Sequence, residues 1–220
     1  MVRLSSIVAL SALTLAASAN AGILLESQLP TNTNNAVFMI DGITVTASSA
    51  PRNFARKTIN GFTGVGVAGG NVNAEIDSNE SITFTFSSAV NINSLSIAFL
   101  YADGNFNDVG NESAHIFGDA NKQVLAVTSI NTGTWSGSGT LTNDSASSNA
   151  GGGAWTVSGT DIFGGAVTQV TLRPGNQGPN ATFGDYSFRS ISFTAVPAPG
   201  AGALAGMGLL SIGRRARRTK

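Results

Sequence analysis

Along residues 81–87, SITFTFS, every second position is apolar: Ile82, Phe84 and Phe86 share one face, serines and threonines the other. Residues 93–101, NSLSIAFLY, repeat the pattern with Leu95, Ile97, Phe99 and Tyr101 inward. A period of two sends alternate side chains to opposite faces, so both runs predict strands with one buried and one wet face. The same reading predicts strands near 36–40, 42–47, 122–128, 154–158, 166–173 and 189–195, with 113–117 also strand-like. In the stretch ending at 195, Ile191 and Phe193 share one parity while Tyr186 and Phe188 hold the other, which predicts a bulge or a strand start near Arg189. No internal stretch sustains a helical period; only 51–59 has room for a short turn of helix. The connections DGNFNDVGN, NDSASSNAGGG and RPGNQGPN are dense in turn-forming residues, and 136–153 predicts a long surface loop. Many short strands with turns between them predict an all-β fold, an antiparallel β-sandwich of jelly-roll type. An N-terminal signal helix and a C-terminal apolar helix are expected to flank it.

The two ends break the alternation. Residues 1–21 join Arg3, an apolar run from Ile7 to Ala17, and the small-x-small triplet Ala19-Asn20-Ala21. That order predicts a secretory signal peptide, cleaved before Gly22 by signal peptidase. Cysteine is absent, so an exported chain must rely on its core, its backbone ladders or bound ions rather than on disulfides. The zero formal charge hides an asymmetry: six of the twelve basic residues lie in the terminal segments, and all twelve acidic ones lie between them. The body, 22–195, therefore carries a charge of about −6. It lacks the basic footprint that phosphate recognition needs, and no nucleic-acid partner is expected.

Residues 196–220 read VPAPGAGALAGMGLLSIGRRARRTK. The uncharged stretch, counted from Pro199 to Ile212, would cover only about 21 Å as a helix, against a hydrocarbon core of about 30 Å. Pro197 and Pro199 stop that helix from extending backwards. Arg214, Arg215, Arg217 and Arg218 would stay on the cytoplasmic side. A short anchor behind an extended hinge describes a transient membrane stop. The segment resembles the PEP-CTERM sorting signal, which exosortase-type membrane proteases read in polysaccharide-producing bacteria. Val196-Pro197-Ala198-Pro199 stands where the family's motif lies, with Ala198 in place of the usual glutamate, as in planctomycete-type variants. The resemblance implies a protein exported to the cell envelope or extracellular matrix, with transient inner-membrane anchoring by the C-terminal helix and processing by an exosortase-type protease.

Candidate chemistry in the body is sparse. No catalytic residue is assigned, and the lone His115 sits in a strand-like context where a structural imidazole is the ordinary reading. Glu75, Asp77 and Glu80 cluster before the SITFTF strand, and alternation places Glu75 and Asp77 on one side, a candidate calcium set with calcium as the cofactor. The same residues also read as a solvated acidic turn, with Glu75 available to Arg56 or Arg189. Residues 103–108, DGNFND, begin like a calcium loop, but Asp108 stands where an EF-hand needs glycine and Ala114 where it needs glutamate. Trp135 and Trp155 are candidate flat faces for a sugar and read equally well as core residues. These features predict a noncatalytic structural or adhesive body. A carbohydrate-binding module for extracellular polysaccharide is the alternative, and a glycan-active hydrolase the third reading.

Overall fold

Two-residue turns set the first hairpins. Asp41-Gly42 joins β2 (Asn35–Ile40) to β3 (Ile43–Ala50), and Asn60-Gly61 joins β4 (Phe54–Ile59) to β5 (Phe62–Val67). Both residues of each turn have positive φ, the geometry whose twist matches that of paired strands and which Asn-Gly and Asp-Gly adopt at least cost. The structure, a computed structural model, describes residues 21–106, 108–175 and 184–197. Its body is one unit spanning Asn20–Val196.

The other strands are β1 (Ala21–Leu25), β6 (Ser81–Ala98), β7 (Ser113–Gly118), β8 (Asn121–Val127), β9 (Gly133–Trp135), β10 (Thr140–Asn143), β11 (Trp155–Ser158), β12 (Val167–Pro174) and β13 (Ser187–Ala195). Every pairing among them is antiparallel. β6 is the hub. Its first half lies between β3 and β12, and its second half pairs with β11 and β13. From the first half the order runs outward through β12, β7, β8 and β9, and from β3 to β2. Around the second half, β11 carries β10, while β13 carries β1 and β5, with β4 beyond. β2, β4 and β9 each have a single partner among the described strands, so the sheet is not closed.

Aromatic contacts join the two groups. The rings of Phe84 and Phe188 lie 4.7 Å apart, and those of Phe86 and Phe193 5.0 Å apart. Ile82, Phe84, Val170 and Leu172 pack with Ile191, Phe193, Trp155 and Val157 in one continuous core. Burying each such side chain contributes roughly 1.5–3 kcal/mol, which lets the fold stand without disulfides.

The expected all-β antiparallel architecture holds, as does the bulge at Arg189: the register jumps between Phe188 and Ser190, so both Phe188 and Ile191 turn inward. Three expectations need correction. Residues 51–59 hold no helix; Phe54–Ile59 is strand β4, because the Asn60-Gly61 turn pairs it with β5. Residues 81–98 form one strand rather than two, and the alternation stops at Phe99, whose φ of 67° turns the chain so that Phe99, Leu100 and Tyr101 are all buried. Residues 136–153 are not simply a surface loop: they include β10, and Ser147 is fully buried. No helix among the described residues is long and apolar enough to cross a membrane. The expected flanking helices, with Ala19, Ala198, Pro199 and the four arginines 214, 215, 217 and 218, lie outside the described residues.

Candidate functional site

Glycine spacing in β5 builds one wall of the site. A Cβ on Gly66 would stand 2.4 Å from the backbone of Ala74 and Glu75, so only glycine lets that segment lie on the strand. Val67 and Glu75 pair there as an isolated bridge. The Glu75 carboxylate is thereby carried to Lys57 of β4, with which it forms an ion pair. The Lys57 ammonium also stands 5.0 Å from the centre of the Phe99 ring.

Three further carboxylates reach the same place from separate parts of the chain. Asp108 comes from the loop after β6, Glu112 from the residue before β7, and Asp185 from the approach to β13. One oxygen from each lies within 4.8 Å of the others. Together with Lys57, Glu75, Phe99, Tyr101 and Phe106 they line a cavity of about 210 Å³. Glu112 accepts a hydrogen bond from the Tyr101 backbone N–H. The Tyr101 ring lies against Phe106, with centroids 4.6 Å apart. Tyr101 is 4 % exposed, yet its hydroxyl has no hydrogen-bond partner among the described residues, and neither has Asp185 Oδ1.

Charge dominates this cavity: four carboxylates face one ammonium. Burial, then the negative charge of Asp185, pushes Glu75 well above the usual carboxylate range even against the pull of Lys57. Glu112 is raised in the same way by burial, then by a hydrogen bond and repulsion from Asp185. Asp108 is pushed up to about 6, chiefly by burial and then by Asp185. Burial also raises the Tyr101 phenol, which stays protonated.

The expected set of Glu75, Asp77 and Glu80 is divided. Asp77 and Glu80 hold each other in a local turn, where the Asp77 N–H donates to Glu80 Oε2 at 3.1 Å and the Val72 N–H to Asp77 Oδ2 at 2.6 Å. Arg52 stands 3.7 Å from Glu80 Oε1. Asp77 Oδ1 and Glu80 Oε1 have no hydrogen-bond partner among the described residues, but they face Gly70, where even a Cβ would lie 2.7–2.8 Å from them. Burial, followed by repulsion from Asp77, raises Glu80 to about 7 against the opposing Asp77 hydrogen bond and Arg52. None of the three is a solvated turn residue: their exposures are 4 %, 1 % and 2 %. Nor does Glu75 pair with Arg56 or Arg189. Arg56 donates to the carbonyls of Glu26 and Leu29, and Arg189 reaches Asp144.

The tryptophans also separate. Trp155 is 1 % exposed and donates its Nε1–H to the Leu100 carbonyl, so it is core and offers no face to a sugar. Trp135 is half-buried at the sheet edge, with its Nε1–H on the Ser138 carbonyl. His115 borders a shallow pocket with Phe117, Lys122 and Arg173; burial and Lys122 lower its pKa. Ala21 and Gly22 open β1, opposite Thr194 and Phe193. The Val196 N–H donates to the Ala89 carbonyl, and Pro197 after it is exposed. Asp108, Glu112 and Asp185 do not stand out as a group in the sequence, because 77 positions separate the outer two. The Asn60-Gly61 turn was the available signal for one wall, since it places Lys57 on a strand beside β5.

No family model and no curated protein sequence matches the chain. Among solved structures it is similar to the catalytic unit of a thermostable GH87 alpha-1,3-glucanase from Streptomyces thermodiastaticus strain HF3-3, with TM-score 0.32 and 18 % identity. That similarity covers 76 % of this chain and 27 % of the other.

Proposed function

We propose that the protein is exported, held transiently in the inner membrane by its C-terminal segment, and cut near Pro197–Pro199 by an exosortase-type protease. Its body, a β-sandwich of jelly-roll type, then serves as a noncatalytic structural or adhesive component of the cell surface or extracellular matrix. The pairing of β1 with β13 carries this reading. All five residues of β1 are matched, from Ala21 opposite Thr194 to Leu25 opposite Ser190. From Gly22 on, the described strands thus all lie between the proposed signal and the proposed sorting motif, and cutting beyond Val196 would remove none of them.

The intact mass of the protein recovered from its own cells tests the proposal. A species running from Gly22 to about Pro199 is expected. A species that retains Arg214–Arg218 would replace the sorting reading with a permanent tail anchor.

A further inference from the structure

We infer that the cavity beside β4, walled by the segments after β5 and β6 and the approaches to β7 and β13, is a calcium site, with Asp108, Glu112 and Asp185 as its carboxylate ligands and the Tyr101 hydroxyl as a neutral oxygen of the shell. Geometry supplies the first argument. Two oxygens bound to one calcium at about 2.4 Å can stand at most about 4.8 Å apart. The oxygens of Asp108, Glu112 and Asp185 meet that limit and come from three different segments. Crowding of this kind is costly unless a positive charge sits among them.

Lys57 does not supply that charge, because its ammonium is held by Glu75. With that pair neutral, three carboxylates remain for the ion. Tyr101 is the independent observation. Its ring is fixed against Phe106 and its phenol is buried in a cavity wall without a partner among the described residues, a cost that an oxygen-seeking ion would offset. The donor set selects the ion. It contains oxygen only, with neither histidine nor cysteine, which suits calcium over zinc. About 210 Å³ leaves room for waters to complete six to eight ligands. The Asp77–Glu80 turn is a different place: it brings two carboxylates rather than three, and Gly70 fills the space beside them.

The test uses the full chain freed of metal by chelation, with calcium chloride as the probe. Calorimetric titration should give one site. The melting temperature should rise by about 5–10 °C at a hundredfold excess over the dissociation constant. Asp185→Asn keeps the side-chain volume and should weaken calcium at least tenfold, while Glu80→Gln should bind as the unaltered protein does. Should Asp185→Asn fail to fold, terbium luminescence provides a second readout. Terbium excited through tyrosine should emit from the unaltered protein, be displaced by calcium, and emit less from Tyr101→Phe. The inference falls if calcium gives neither heat nor a melting shift, if Tyr101→Phe leaves the emission unchanged, or if Glu80→Gln rather than Asp185→Asn abolishes binding. None of these outcomes depends on whether the C-terminal segment is cut.

Discussion

The molecule buries two groups of acidic side chains, and they are built in opposite ways. Asp77 and Glu80 lie three residues apart, take hydrogen bonds from nearby backbone N–H groups and have Arg52 beside them. The cavity group is drawn from β4, the segment after β5, the loop after β6, and the approaches to β7 and β13. Among the described residues, only Glu112 in that group takes a backbone N–H, and one ammonium faces four carboxylates. A turn whose carboxylates are tied to their own backbone N–H groups is a structural element. An assembly that concentrates charge without satisfying it is poised for a ligand.

Four substitutions test that contrast. Lys57→Met should have the largest effect, because it leaves Glu75 buried and unpaired. Breaking a buried pair costs about 3–5 kcal/mol, and the partial exposure of the Lys57 side chain, 22 %, places this one near 3 kcal/mol. Urea unfolding in chelator would measure it.

Next comes pH. Glu80 is raised to about 7 in the fold. Its proton is therefore held more tightly in the native than in the unfolded chain, and the associated stability is fully present below about pH 4.5. It is lost as pH rises through 7. Glu80→Gln should remove a decline of about 3 kcal/mol over that window, read as the difference between the two unfolding profiles in chelator. Equal slopes would show that the Asp77–Glu80 turn pays no burial cost.

Without calcium, Tyr101→Phe should change stability by less than about 1 kcal/mol and in the stabilising direction, since it deletes an unsatisfied buried hydroxyl. A loss above 1 kcal/mol in thermal unfolding would mean that the hydroxyl has a partner. Arg52→Ala should do least. Its side chain is 55 % exposed and the contact is long, so the cost should stay within about 0.5 kcal/mol by the same unfolding assay.

The same contrast explains what the sequence made legible. Alternation located most of the core strands, and the parity change between Phe188 and Ile191 located the bulge at Arg189. It did so because burial on one face is a local, periodic requirement. The break at Phe99 was not legible, since its backbone turn answers to the 152–153 carbonyls, more than fifty residues away. Glu75, Asp77 and Glu80 stood out because they are neighbours in the chain. The cavity did not, because it takes the β4–β5, β5–β13 and β6–β13 pairings to bring Asp108, Glu112 and Asp185 toward Lys57. Trp155, which the sequence left open between platform and core, is core because β11 pairs with the second half of β6.

Anomalous diffraction from crystals of the protein grown with calcium tests the central claim most directly. The account predicts one calcium peak within about 2.3–2.6 Å of oxygens from Asp108, Glu112 and Asp185, and none beside Asp77 and Glu80. Ordered carboxylates around a cavity that holds water alone, or a peak at the Asp77–Glu80 turn, would contradict it.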